Sequence, residues 1–166
     1  MTDMIIRPAS RLDLEEINGI YNEAILNTTA HYFIEPKPIE ERIKWFEEHG
    51  EKYPVFVAEL NSKIAGWASL TRWSAYYAFE DSAESSFYIH KDFRGKGLGK
   101  TLLKKVVEEG SKNGIHTIIA RILDGNPASI HIHKKLGFEH IGVMKEIGKK
   151  FGRYIDLTLM QKMIIK

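Results

Sequence analysis

The chain has 166 residues, with 24 lysines and arginines against 22 acidic residues and no cysteine. Such a length suits a single domain, 1–166, with one substantial core, and the lack of cysteine excludes disulfides, thiolate metal sites and an acyl-enzyme through sulfur. A net charge of +2 is too small to mark a nucleic-acid binder.

Asp3, Arg7, Arg11 and Asp13 break up the N-terminus before any long apolar run, which argues against a secretory signal. No apolar stretch reaches transmembrane length. The expectation is a cytoplasmic protein with no membrane partner. Met4–Pro8 reads as a first strand. Ser10 and Asp13 have capping-box spacing ahead of Leu14, Ile17, Tyr21 and Ala24, an apolar stripe at helical period. Pro36 and Pro38 introduce a second helix with Ile39, Ile43 and Phe46 on one face, closed by Gly50. Val55–Leu60 and 64–71 form a hairpin around Asn61-Ser62-Lys63, and 85–90 is the next strand. A helix from Gly97 to about Gly114 precedes a strand over Thr117–Leu123. Asn126 caps a short helix ending at Gly137, and strands over 141–147 and 154–163 complete the chain. A βααββ order followed by βαβαββ predicts an α/β fold, a mixed sheet with helices on both faces and a parallel pair around the Gly97 helix.

The most informative stretch is Arg94-Gly95-Lys96-Gly97-Leu98-Gly99-Lys100-Thr101, between the apolar strand Phe87-Tyr88-Ile89 and a helix carrying Leu98, Leu102, Val106 and Val107. A strand, a glycine-rich loop and a helix in that order make an anion site, where backbone amides and the helix dipole point one way. A phosphorylated cofactor is therefore expected. The P-loop pattern fails because its first glycine falls on Arg94, and the dinucleotide fingerprint fits neither register. The basic run Lys91, Arg94, Lys96, Lys100, Lys104 and Lys105 is followed at once by Glu108 and Glu109, as on a solvated helix face. Lysines at the loop remain able to meet cofactor phosphates.

What remains, R-x-x-G-x-G, resembles the acetyl-CoA pyrophosphate loop of the GCN5-related N-acetyltransferases. Asn126-Pro127-Ala128-Ser129 and His133-Lys134-Lys135-Leu136-Gly137-Phe138 follow at the distance that superfamily shows. Within it the chain is similar to the phosphinothricin N-acetyltransferase-like family along nearly its whole length. The matching pieces include Ile6-Arg7-Pro8-Ala9, Ile20-Tyr21-Asn22-Glu23-Ala24, Asn27-Thr28-Thr29-Ala30, Tyr53 to Glu59 and Gly148 to Asp156. The resemblance implies a GNAT fold, a mostly antiparallel mixed sheet whose two central parallel strands splay apart to admit acetyl-CoA. It implies pyrophosphate contacts from 94–100, pantetheine contacts from the strand Phe87-Tyr88-Ile89 and from Asn126, and a homodimer.

Acetyl transfer to an amine needs a base for the ammonium, a fixed donor for the thioester oxygen and a proton for the departing thiolate. Glu84, in a Ser82-Ala83-Glu84-Ser85 segment that matches the family's Thr-Val-Glu-Ser, is the first candidate base. It stands just before the expected strand, at the mouth of a cleft where desolvation raises a carboxyl pKa; otherwise it is an exposed loop glutamate. His133 stands where the wider superfamily has a tyrosine, and histidine permits acid or base work; otherwise it is a helix histidine satisfied by a carbonyl. The oxyanion donor is implied to be a backbone amide of Phe87-Tyr88-Ile89. A metal site from His131 and His133 is disfavoured, because helical residues two apart point to different sides.

The acceptor pocket departs from the family. Its usual Ala-Tyr-Arg-x-Thr-Val-Glu is replaced by a longer stretch from Ala75 to Glu84 with no arginine before Glu84. Trp73, Tyr76, Tyr77 and Phe79 either line a more apolar pocket or pack the loop onto the core. Lys150 and Arg153 are candidates for the missing positive charge. The leading expectation is acetyl-CoA-dependent N-acetylation of a small amino-acid-like amine. Acetylation of protein N-termini or lysines, and a non-catalytic acetyl-CoA-binding module, are the alternatives.

Overall fold

A computed structural model describes residues 4–164; Asp3 and the two ends of the expected 1–166 domain lie outside the described residues. In chain order the elements are β1 (Met4–Pro8), α1 (Leu14–Asn27), α2 (Ile39–Glu47), β2 (Val55–Leu60), β3 (Lys63–Arg72), β4 (Ser82–Ile89), α3 (Leu98–Lys112), β5 (Thr117–Leu123), α4 (Pro127–Lys135), β6 (Glu139–Lys150) and β7 (Arg153–Met163). The expected capping box is present: Ser10 N–H donates to Asp13 Oδ2 at 2.7 Å ahead of α1.

The seven strands form one sheet in the order β1-β2-β3-β4-β5-β7-β6. Strand alternation sorts its central side chains to two faces. Val57, Ile64 and Trp67 pack with Leu14, Ile17, Tyr21 and Ile25 of α1 on one face. Phe56, Ala58, Ala68, Leu70 and Ile118 pack with Leu98, Leu102, Leu103 and Val106 of α3 on the other. The stripes read from the sequence for α1 and α3 are therefore buried, while Ile39, Ile43 and Phe46 of α2 are partly buried against the α1 cluster.

Every strand pair is antiparallel except β4–β5, whose parallel ladder has three rungs: Ser82↔Thr117, Ala83↔Ile118 and Glu84↔Ile119. Past Glu84, β4 stays paired with β3 through Ile89, while β5 stays paired with β7 through Leu123. The two central strands thus splay, and one backbone edge of β4 from Ser85 onward faces the gap.

Two boundaries differ from expectation with consequences for the site. β4 begins at Ser82 rather than 85, because its first residues pair with both β3 and β5; Glu84 lies inside the strand, not before it. β6 and β7 are joined by the two-residue turn Phe151-Gly152, with φ of 51° and 76°, as a tight right-twisted hairpin requires. β6 consequently runs beyond the expected 141–147 at both ends.

Candidate active site

The glycine-rich loop folds as its composition dictates. Gly95 and Gly97 have φ of 77° and 80°, in the left-handed region where a Cβ is strained. Gly97 is the N-cap of α3; no side chain caps this helix and no acidic residue sits in its first turn. Its leading amides are free to meet an anion. A Cβ on Gly97 would meet no atom within 4 Å, whereas one on Gly99 would stand 2.8 Å from the Phe87 ring. Gly97 therefore keeps the loop surface open, while Gly99 lets α3 approach β4.

A cavity of ≈ 430 Å³ is lined by Phe87, Tyr88, Ile89, Arg94, Gly95, Gly97, Leu98, Gly99 and Asn126, with Ala24, Thr28, Thr29, Ala30 and α4 forming its other walls. Nine of the residues expected from the sequence to contact the cofactor are thus brought together. Lys96, on the loop, and Lys100, in the first turn of α3, are exposed and do not line it; the Lys96 ammonium sits 5.2 Å from the Phe93 ring centre. Arg94 is engaged by protein, its Nε donating to the Ile89 carbonyl at 3.1 Å and its Nη2 to Glu23, so it braces the loop against β4 and α1. Asn126 caps α4 by accepting from the Ser129 amide at 3.3 Å. The open amides, the glycine surface and the free edge of β4 fit the pyrophosphate and amide groups of acetyl-CoA.

A narrow cleft of ≈ 40 Å³ continues from this cavity between the splayed strands, sharing Ala30, Phe87, Tyr88, Asn126 and Ser129 with it and adding Ser85, Arg121 and His133. Glu84 and Ser85 are successive strand residues and point to opposite sheet faces. The two candidate proton-handling groups accordingly occupy different faces. His133 is 3% exposed, behind Ser85. Its Nδ1 lies 2.7 Å from the Ser129 carbonyl, which only accepts, so Nδ1 carries the proton and Nε2 accepts from the Ser85 hydroxyl at 3.3 Å. Burial pushes the His133 pKa down, countered in part by the Ser129 carbonyl. At rest the ring is neutral and positioned to accept a proton.

Glu84 is forked by Arg121 of β5, Nε donating to Oε1 at 2.8 Å and Nη2 to Oε2 at 2.6 Å. The pairing raises the Arg121 pKa. Each Glu84 oxygen keeps a further lone-pair position. In the sequence Arg121 is marked only as a lone charge in the central apolar run Ile118-Ile119-Ala120-Arg121-Ile122-Leu123, and Ser85, a strand serine, carries no local mark.

The cation bonded to Glu84 is Arg121, and the two cations expected to supply the acceptor pocket's positive charge, Lys150 and Arg153, hold other partners. Lys150 is buried and its ammonium donates to the His31 carbonyl at 2.8 Å, bracing the loop that carries Tyr32, while burial lowers its pKa. Arg153 pairs with Asp124 at 3.2 Å. Tyr76 and Tyr77 are 75% and 82% exposed; the short helical turn over Tyr77–Phe79 turns them outward, away from both cavity and core.

Three histidines are held neutral by burial: His31, pushed down to about 3, His49 and His133. In the unfolded chain each titrates near 6.5, so below that pH the unfolded state binds protons the folded state refuses. Stability should therefore fall as pH drops from 6.5, each histidine contributing up to about 1.4 kcal/mol per pH unit. A urea midpoint that stays flat between pH 7.5 and 5.5 contradicts this.

A family model described as Acetyltransferase (GNAT) family matches residues 18–138. An L-methionine sulfoximine/L-methionine sulfone acetyltransferase of Pseudomonas paraeruginosa is 42% identical over 158 residues, 94% of this chain and 92% of that protein. An L-amino acid N-acyltransferase of Escherichia coli is 41% identical over 159 residues, 95% of this chain and 92% of its own. A phosphinothricin acetyltransferase from Sinorhizobium meliloti, solved in complex with acetyl-CoA, superposes with a TM-score of 0.92 at 34% identity, covering 96% of this chain and 88% of that one.

Proposed function

The chain belongs to the acetyltransferase (GNAT) family, and from that premise we propose that it acetylates the α-amino group of a small, polar amino acid of the methionine sulfone, methionine sulfoximine or phosphinothricin type. The observation that carries the reading is that an anion-binding cavity continues into a cleft lined by Arg121, whose guanidinium holds the Glu84 carboxylate where β4 and β5 part.

Acetyl-CoA supplies the activated acyl group. Residues 94–100 bind its phosphates: Gly95, Gly97, Leu98 and Gly99 through the loop surface, Lys96 and Lys100 by charge from outside, Arg94 by holding the loop in place. Phe87, Tyr88 and Ile89 offer free backbone to its amide arm, beside Asn126. Glu84 takes the proton that an ammonium must lose before it attacks. His133, on the opposite face, acts through the Ser85 hydroxyl as the second proton-handling group. The enzyme is a single domain over 1–166, cytoplasmic and homodimeric; the exposed Ile141, Val143, Ile147, Phe151 and Tyr154 of the edge strand and its hairpin supply apolar surface for a second copy.

With no cysteine, an acetyl-enzyme is disfavoured and both substrates must be bound together. Initial-rate lines for varied acetyl-CoA at several fixed amine concentrations should intersect. Parallel lines overturn direct transfer. The substrate reading is tested by CoA release with free amino acids, methionine sulfone, methionine sulfoximine and phosphinothricin. Turnover of peptide N-termini or lysines, with none of these amino acids, rejects it.

A further inference from the structure

A charged residue in a central strand, between two apolar neighbours on the same face, requires a reason. Arg121 stands between Ile119 and Leu123 on β5, two residues past the last rung of the parallel ladder. An ion pair exposed only for stability contributes little, and burying apolar surface here would serve the core better. The pair instead stands where the cleft opens, with side-chain exposures of 35% for Arg121 and 15% for Glu84.

Three features give this pair the form of a receptor. Arg121 commits Nε and Nη2 to Glu84, and Nη2 also reaches the Tyr32 hydroxyl at 3.2 Å; Nη1 has no hydrogen-bond partner among the described residues. The guanidinium is flanked by the rings of Tyr32 and Trp73, at 5.3 Å and 5.7 Å from their centres, an arrangement that favours a cation beside them. Arg121 also lines the cleft that continues from the main cavity. One anion and one cation therefore stand side by side, each with unused hydrogen-bonding capacity, at the place where an acceptor amine must arrive.

An α-amino acid at neutral pH carries the complementary pair, an ammonium and a carboxylate separated by one carbon. Resting on the proposed function, we propose that Arg121 is the specificity-determining residue for the acceptor: it binds the substrate's α-carboxylate through Nη1, which sets the α-ammonium against Glu84. The four charges then alternate in sign, and recognition and proton removal share one ion pair. A carboxylate bound there meets the Nη1 donor of a guanidinium whose plane Glu84 already holds. An amine without a carboxylate leaves Nη1 unsatisfied in a partly desolvated site, a mismatch a polar site penalises strongly.

The test compares L-methionine sulfone with 3-(methylsulfonyl)propan-1-amine, the same molecule without its carboxylate, as acceptors for wild type, Arg121→Gln and Arg121→Lys. The expected readout is the ratio of kcat/KM for the two acceptors, in which any effect of Arg121 on Glu84 itself cancels. Wild type should prefer the amino acid by about 10²-fold or more. Arg121→Gln should bring the ratio close to one, chiefly through KM for the amino acid. Arg121→Lys, a point charge without the fork, should fall between. An unchanged ratio in Arg121→Gln, a wild-type ratio near one, or equal losses on both acceptors overturns the anchor and leaves the proposed function standing. Wild-type turnover of the amine with no amino acid accepted overturns both.

Discussion

Glu84→Gln is expected to lower kcat by about 10²-fold or more. Glutamine matches glutamate in size, and its carbonyl oxygen can still accept from Arg121, so the strand and half of the fork survive. What is lost is the ability to take a proton. The 2.6–2.8 Å bonds to Arg121 make a purely structural account a real competitor, because breaking half of that fork leaves a guanidinium partly unpaired. The pH profile separates the two. Loss of a base leaves a variant whose rate rises with pH as the free amine becomes populated, toward the wild-type rate. Loss of structure lowers the rate by a similar factor at every pH. His133→Phe provides the companion measurement. It keeps an aromatic ring beside Phe87 and Phe138, with centres now 5.9 Å and 4.8 Å from the His133 ring, but removes the acceptor for the Ser85 hydroxyl. A similar fall in kcat is expected there. Full kcat across the pH range in either variant assigns that residue to structure alone.

Gly97→Val should weaken acetyl-CoA binding by about 10²-fold, from a micromolar range, while the chain stays folded. A β-branched residue is a genuine outlier at φ of 80°, so the loop must rearrange at the N-cap of α3, the position that presents the first-turn amides. No atom beyond the adjoining residues of the chain lies within 4 Å of the added Cβ, so the core is not overpacked and the damage is confined to the anion site. Gly99→Val is the contrast. Its Cβ would strike the Phe87 ring and should lower stability as well as binding, through overpacking. Calorimetry with acetyl-CoA, beside urea unfolding of both variants, reads the difference. Wild-type affinity in a folded Gly97→Val variant would sink the loop assignment.

The order of elements, the faces of α1 and α3 that are buried and the glycine-rich anion loop were all determined by the sequence itself. Each rests on local chemistry: apolar residues at helical spacing, glycines where φ turns positive, a cap three residues from its amide. The same locality explains Asn126 and the family resemblance, which rests on short ordered motifs. Relations between distant segments belong to the tertiary structure. The splay of β4 from β5 depends on where a parallel ladder between residues 35 positions apart stops, at Glu84↔Ile119, and no residue there announces it. Register put Glu84 inside a strand rather than before it, and strand alternation then sent Glu84 and Ser85 to opposite faces. Arg121 met Glu84 across 37 residues, while Lys150 and Arg153, closer to the family motif, found partners of their own. Tyr76 and Tyr77 show the limit most plainly. Aromatic composition allows a pocket wall or packing onto the core, but the turn that carries them leaves both side chains exposed to solvent, and side-chain direction is a property of the fold.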